Sequence, residues 1–191
     1  MLKILHIITV KKVKHFIYIL LSILFFLNLN AEEKTKIKSE KFDNWFLECR
    51  EINNKNNCEL VQLLTINETN IQFKLLYSIF KNRDNKIKEV FTIITPLGVN
   101  LLESPKIKFD KGKQFNSKFI KCEVFGCIIS ISNNSNNKKN NQISDEIFQS
   151  LKKSENLEIG IQIQNSRPFQ ITTSLKGFKE GQIKLSKKFN K

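Results

Sequence analysis

The stretch Phe119-Ile120-Lys121-Cys122-Glu123-Val124-Phe125-Gly126-Cys127-Ile128-Ile129-Ser130-Ile131 limits the folds open to this chain more than any other. Two cysteines with four residues between them flank a Phe-Gly reversal, and a β-prone apolar run leads away from the second. Gly126 supplies the positive-φ freedom that a tight reversal needs. A disulfide across such a reversal would staple two strands together before any core has formed. The alternative is two buried free thiols in ordinary strands. Compartment decides between them, and the N-terminus speaks to compartment.

The first thirty-one residues read as a secretory signal. Lys3, Lys11, Lys12 and Lys14 form a positive start without an acid, and Phe16 to Leu29 is apolar. That run of about fourteen residues is short for a membrane span, which needs ~20. Cleavage is expected after Ala31, with an uncleaved signal anchor as the alternative. No cysteine stands at the cleavage point to carry a lipid. The chain is therefore expected to be exported.

All four cysteines, Cys49, Cys58, Cys122 and Cys127, lie beyond that segment, and an even count in an exported chain favours disulfides. Four cysteines allow three connectivities, and the residues alone do not choose. Spacing suggests the local pairs Cys49–Cys58 and Cys122–Cys127, each closing a hairpin-sized loop worth roughly 2–3 kcal/mol. A four-cysteine zinc site is the competing use of these thiols. It suits Cys122 and Cys127 better than Cys49 and Cys58, which have eight residues between them. No C-x-x-C occurs, which disfavours thioredoxin-like chemistry.

The remaining chain alternates short apolar runs with polar turns. Residues 32–41 read as a flexible lead-in, and a single domain follows over 42–179. Strands are expected at Phe42–Cys49, Cys58–Leu64, Ile71–Ile79, Glu89–Ile94 and Lys106–Asp110, then through the cysteine hairpin. Pro96-Leu97-Gly98-Val99 reads as a turn or bulge into Leu101-Leu102, and Asn133–Asn141 as an irregular surface loop. One short helix is expected at about 144–153, N-capped by Ser144, with Ile143, Ile147, Phe148 and Leu151 on one face. Leu157 to Ile163 and Phe169 to Thr173 form a last pair of strands. The tail over 180–191 is basic and reads as frayed. About ten strands and one helix describe a mainly β, antiparallel, sandwich-like domain.

Chemistry is thin. Both histidines, His6 and His15, fall in the signal, so the mature chain lacks histidine bases, nucleophile partners and metal ligands. Asp43, Glu48, Glu59, Glu89 and Asp110 could supply a glycosidase pair, but no motif gathers them. No phosphate-binding glycine pattern or G-x-S-x-G elbow is present, and neither a cofactor nor a metal is expected. Trp45 beside Phe46 could stack a ligand, although a core anchor suits it better. The net charge of +14 falls to +10 once the four signal lysines are removed. The lysines are scattered, and Lys, Asn, Ile and Phe share A/T-rich codons, so a solvated surface is expected rather than a nucleic-acid partner.

The ordered landmarks are more specific than any one of them. Trp45 precedes Cys49; Cys58 precedes Gln62; Pro96-Leu97-Gly98-Val99 follows; then Cys122 with Gly126-Cys127; then Ser174-Leu175-Lys176-Gly177-Phe178. This order resembles the invasion-associated locus B (IalB) family of exported proteins in Gram-negative bacteria, from about Asp43 to Phe178. The resemblance implies a periplasmic or envelope-associated, mostly β protein without known catalytic residues. Taken with the signal, the cysteine pairs and the lack of histidine, the expected action is binding of an envelope protein or component, peripheral membrane association included. A cationic binder of anionic lipid or polysaccharide is the alternative, and a carboxylate-based glycan hydrolase the second. The Asn-rich stretch at 133–141 and the lysine-rich surface depart from the pattern. A link of one relative to host-cell invasion does not transfer by name alone.

Overall fold

Antiparallel pairing of strands next to one another in sequence builds most of the molecule. The structure is a computed structural model that describes residues 37–52, 55–66, 71–110, 112–133, 138–164 and 167–189. The expected signal at 1–31 lies outside the described residues. Strands β1 (Ile37–Phe42), β2 (Trp45–Ile52), β3 (Lys55–Ile66), β4 (Ile71–Lys81) and β5 (Ile87–Thr95) form a meander. β8 (Phe119–Glu123) and β9 (Gly126–Ser132) add a hairpin, giving a seven-stranded sheet ordered β1-β2-β3-β4-β5-β9-β8. A second sheet, ordered β11-β10-β6-β7, is built from β6 (Lys106–Phe109), β7 (Gln114–Asn116), β10 (Asn156–Gln162) and β11 (Pro168–Ser174). Helices α1 (Lys138–Lys153) and α2 (Phe178–Phe189) complete the described residues.

Period-two patterning sets one face of the large sheet inward. Leu47, Leu60, Tyr77, Phe91 and Ile131 fall in one cross-strand row, and Gln62, Leu75, Ile93 and Ile129 in the next. The small sheet contributes Ile107, Phe109, Leu157, Ile159 and Ile161 to the same core. Phe73 of the large sheet stacks on Phe169 of the small one at 5.9 Å. Beyond the small sheet the helices cover the rest: Phe178 meets Trp45 edge-on at 5.0 Å and Tyr77 at 5.2 Å, while Phe148 of α1 meets Tyr77 at 6.3 Å. The result is the antiparallel layered β fold that the alternating pattern implies.

Three expected segments differ. The lead-in is ordered from Ile37 as edge strand β1, paired with β2 from Ile37↔Arg50 to Phe42↔Trp45. An edge strand exposed along most of its length has little apolar period to reveal it. The helix expected at 144–153 starts at Lys138, inside the Asn-rich stretch, so Ser144 is a buried interior residue rather than its N-cap. Docking of Ile147, Phe148 and Leu151 sustains turns that the local propensity of Asn and Lys does not announce. The tail expected to fray continues helix α2, which begins at Phe178 and buries Phe178, Gly181 and Leu185. A Cβ at Gly181 would lie 2.5 Å from Leu60 Cδ1, so glycine there lets the helix settle onto β3. That same glycine blanks the centre of the helical period in the sequence.

Candidate functional site

The cysteine hairpin and the loop after β5 meet at one end of the large sheet. Val124 and Phe125 form a two-residue turn between Glu123 and Gly126, which are register partners. Cys122 and Cys127 are opposite one another in the next pair and are joined by a disulfide, with Cα atoms 3.9 Å apart. Thr95 stands opposite Cys127 at the end of β5, and its buried hydroxyl donates to the Cys127 carbonyl at 3.2 Å. Gly126 has φ 142°, and a Cβ there would lie 2.2 Å from the Thr95 carbonyl oxygen. Only glycine lets the hairpin backbone approach β5 this closely.

The neighbouring loop is held with equal care. Gly98, at φ 84°, accepts a hydrogen bond from the Gln164 amide at 2.9 Å. Val99 is buried and bridges to Ile163, while the Asn100 amide donates to Gln162 O at 2.7 Å. The Asn100 side chain in turn accepts from the Leu102 amide at 3.1 Å. Fixed backbones therefore present a run of apolar side chains to solvent: Leu97, Leu101, Leu102, Val124 and Phe125, with Leu102 94% and Val124 93% exposed. The landmarks Pro96, Gly98, Val99, Cys122, Gly126 and Cys127 are the frame of this rim. Leu97 belongs to the rim itself.

The other landmarks are structural. Cys49 and Cys58 are also register partners and are bonded, so both local pairings that spacing suggests are the ones formed. Trp45 is fully buried against Phe178, a core anchor rather than a stacking platform. Gln62 crosses between sheets, its Nε2 donating to Thr173 Oγ1 at 3.0 Å and to the Ser174 carbonyl at 3.2 Å. Leu175 is buried, and Gly177 and Phe178 turn the chain into α2.

The five candidate carboxylates do not gather at one place; only Glu48 and Glu59 stand side by side, on β2 and β3. Asp43 lies in the β1–β2 turn, 3.3 Å from Lys176 Nζ. Glu48 and Glu59 are register partners, with Glu48 also 3.5 Å from Arg50. Asp110 accepts from the Glu155 and Asn156 amides at 3.1 and 2.9 Å. Desolvation works upward on its carboxyl, but those amide donors hold it below the usual carboxylate range. Among the described residues no group of three or more His, Cys, Asp and Glu side chains is placed to hold a metal ion.

Glu89 has a different role, which the sequence pattern missed. It accepts from the buried Tyr77 hydroxyl at 2.6 Å and lies 3.5 Å from Lys152 Nζ, tying β4 and β5 to α1. Burial, and then the Glu89 carboxylate, raise the Tyr77 phenol above its ordinary value. Above pH ~10 the unfolded chain releases this proton while the folded chain retains it, so stability falls by about 1.4 kcal/mol per pH unit. Urea unfolding of wild type and Tyr77→Phe between pH 9 and 11.5 should show the wild-type advantage shrinking with that slope. Parallel curves would mean that the phenol is not held neutral.

The stretch that matches known proteins spans these landmarks. The family model described as Invasion associated locus B (IalB) protein matches residues 45–186. The chain belongs to the IalB family. A search of curated proteins finds no match. Among solved structures, the crystal structure of invasion associated protein B from Bartonella henselae is similar, with a TM-score of 0.59 at 17% identity. The match covers 78% of this chain and 95% of that one. At this identity the likeness shows a shared fold. The IalB match ends within α2, which makes the helix part of the family domain rather than an appendage.

Proposed function

We propose that this IalB family protein is an exported, non-enzymatic domain of the periplasm or cell envelope that acts by binding another envelope protein. The observation supporting this reading is the rim of Leu97, Leu101, Leu102, Val124 and Phe125, exposed on backbones fixed by a disulfide and two positive-φ glycines. Apolar side chains left in water on a rigid frame contribute to association, because little conformational freedom is lost when they are covered. The signal-like N-terminus and two disulfides support export. Among the described residues no helix is long and apolar enough to cross a membrane.

A photo-crosslinking residue placed at Val124, Phe125 or Leu102 in living cells tests the reading. One discrete protein adduct is expected at all three positions and none at Lys108, on the small sheet. Phe125→Ser should weaken capture of that partner about tenfold, and Cys122→Ser with Cys127→Ser should weaken it less. Adducts no stronger at the rim than at Lys108 would overturn it.

A further inference from the structure

The outer face of the large sheet is a second feature, independent of the rim. The layers that cover this sheet pack on its other face: Phe169 of the small sheet on Phe73, Phe148 of α1 on Tyr77, and Phe178 of α2 on Trp45. Alternation then turns Phe46, Val61 and Leu76 outward in one cross-strand row, and Leu63, Lys74, Ile94 and Ile128 outward in the next. Phe46 is 39% and Leu63 56% exposed, and Leu76, Ile94 and Ile128 are half-buried. Among the described residues no layer lies over these rows. A contiguous apolar stripe on an uncovered sheet face is an interaction surface.

The charges on this face are arranged about its apolar centre. Glu59 stands two residues before Val61 on β3, and Lys74 two residues before Leu76 on β4. Val61 and Leu76 are partners on antiparallel strands, so the two charges lie on opposite sides of that pair, each about 7 Å from it along its strand. Glu48 is 3.5 Å from Arg50, whereas no ion pair joins Glu59 or Lys74 to another described residue. Lys74 is instead set in an apolar row, between Leu63 and Ile94. A two-fold axis lying in the face and running along the Val61–Leu76 pair exchanges its two sides. It carries Glu59 of each copy over Leu63 of the other, one strand from Lys74, an offset of about 4.8 Å that a lysine side chain spans. The area agrees as well. The five central strands, β2 to β5 and β9, give the face roughly 700 Å² at ~4.8 Å between strands and ~3.3 Å per residue. Each partner of a standard protein interface contributes about 800 Å².

We propose that the chain pairs with a second copy of itself, outer face against outer face, about this two-fold axis. The apolar stripe of one copy covers that of the other and supplies the affinity. Two symmetry-related pairs of Glu59 with Lys74 set the register and disfavour a shifted or foreign partner. The rim lies at the end of the sheet and is not part of this face.

Sedimentation velocity of the exported protein over ~1 to ~100 μM reads the mass directly, and a dimer with Kd in about the micromolar range is expected. Leu76→Arg should leave a monomer with an unchanged circular dichroism spectrum, because position 76 lies outside the core. Glu59→Lys and Lys74→Glu should each loosen the dimer about tenfold or more. Mixed in equal amounts, these two variants should form a heterodimer with both charge pairs restored and about the wild-type Kd. Phe125→Ser, at the rim, should leave the dimer as it is. Wild type that stays monomeric at ~100 μM overturns the proposal. So does a dimer indifferent to Leu76→Arg, or a mixture no tighter than either charge variant alone. A monomeric chain that crosslinks from Leu63 to a different protein also overturns it, and assigns the face to that partner. Should Leu76→Arg not fold, the mixture still decides, since neither charge is a core residue.

Discussion

Phe178→Ala should lower the free energy of unfolding by about 3–5 kcal/mol, the range for removing a large aromatic side chain from a packed core. The ring is fully buried and touches both Trp45 and Tyr77 edge-on, so its loss leaves two large aromatic neighbours facing a void. It is also the first residue of α2, and with Leu185 it fixes that helix to the large sheet. In a domain of this size the thermal midpoint should fall by roughly 10 °C. Ile183→Ala, on the same helix but 45% exposed, should cost less than about 1 kcal/mol. Urea unfolding followed by far-ultraviolet circular dichroism measures both. Equal, small losses would mean that α2 is not docked through Phe178.

Glycine-to-alanine exchanges at two landmark positions should separate backbone conformation from packing. Gly177 and Gly98 share nearly the same left-handed geometry, with φ of 90° and 84°. A Cβ at Gly98 meets nothing within 4 Å, whereas one at Gly177 would lie 2.0 Å from the Phe42 carbonyl oxygen and 2.6 Å from its carbon. Gly98→Ala should therefore cost only the conformational penalty of about 1–2 kcal/mol. Gly177→Ala adds the displacement of backbone that belongs to β1, for about 3–5 kcal/mol in all. The difference between the two variants, from denaturant midpoints at equal slope, measures the steric part. Equal losses would show that β1 yields at Phe42 without resistance.

The residues made the sheets legible because alternation is a direct record of which face is buried. Leu157, Ile159 and Ile161 alternate in sequence and are the buried face of β10. The cysteine spacings were equally direct, since partners that close a hairpin are necessarily near in the chain. What sequence concealed was structure held by contacts from elsewhere. β1 is largely exposed and is fixed by pairing with β2; α2 docks through a glycine where a helical period would place an apolar side chain. The candidate site was concealed for another reason. The rim brings the loop after β5, which carries Leu97, to the end of the sheet where Val124 and Phe125 turn, and only the pairing of β5 with β9 and of β9 with β8 puts these segments there.

Each disulfide joins neighbours within one hairpin, with sequence separations of 9 and 5. That locality bears on how the molecule is made. A chain emerging from its N-terminus exposes Cys58 to Cys49 long before Cys122 appears, and Cys127 follows Cys122 almost at once. The first encounter in each case is the native one. Oxidation in order of emergence would therefore yield the correct bridges without reshuffling, leaving an isomerase no crossed pairs to repair.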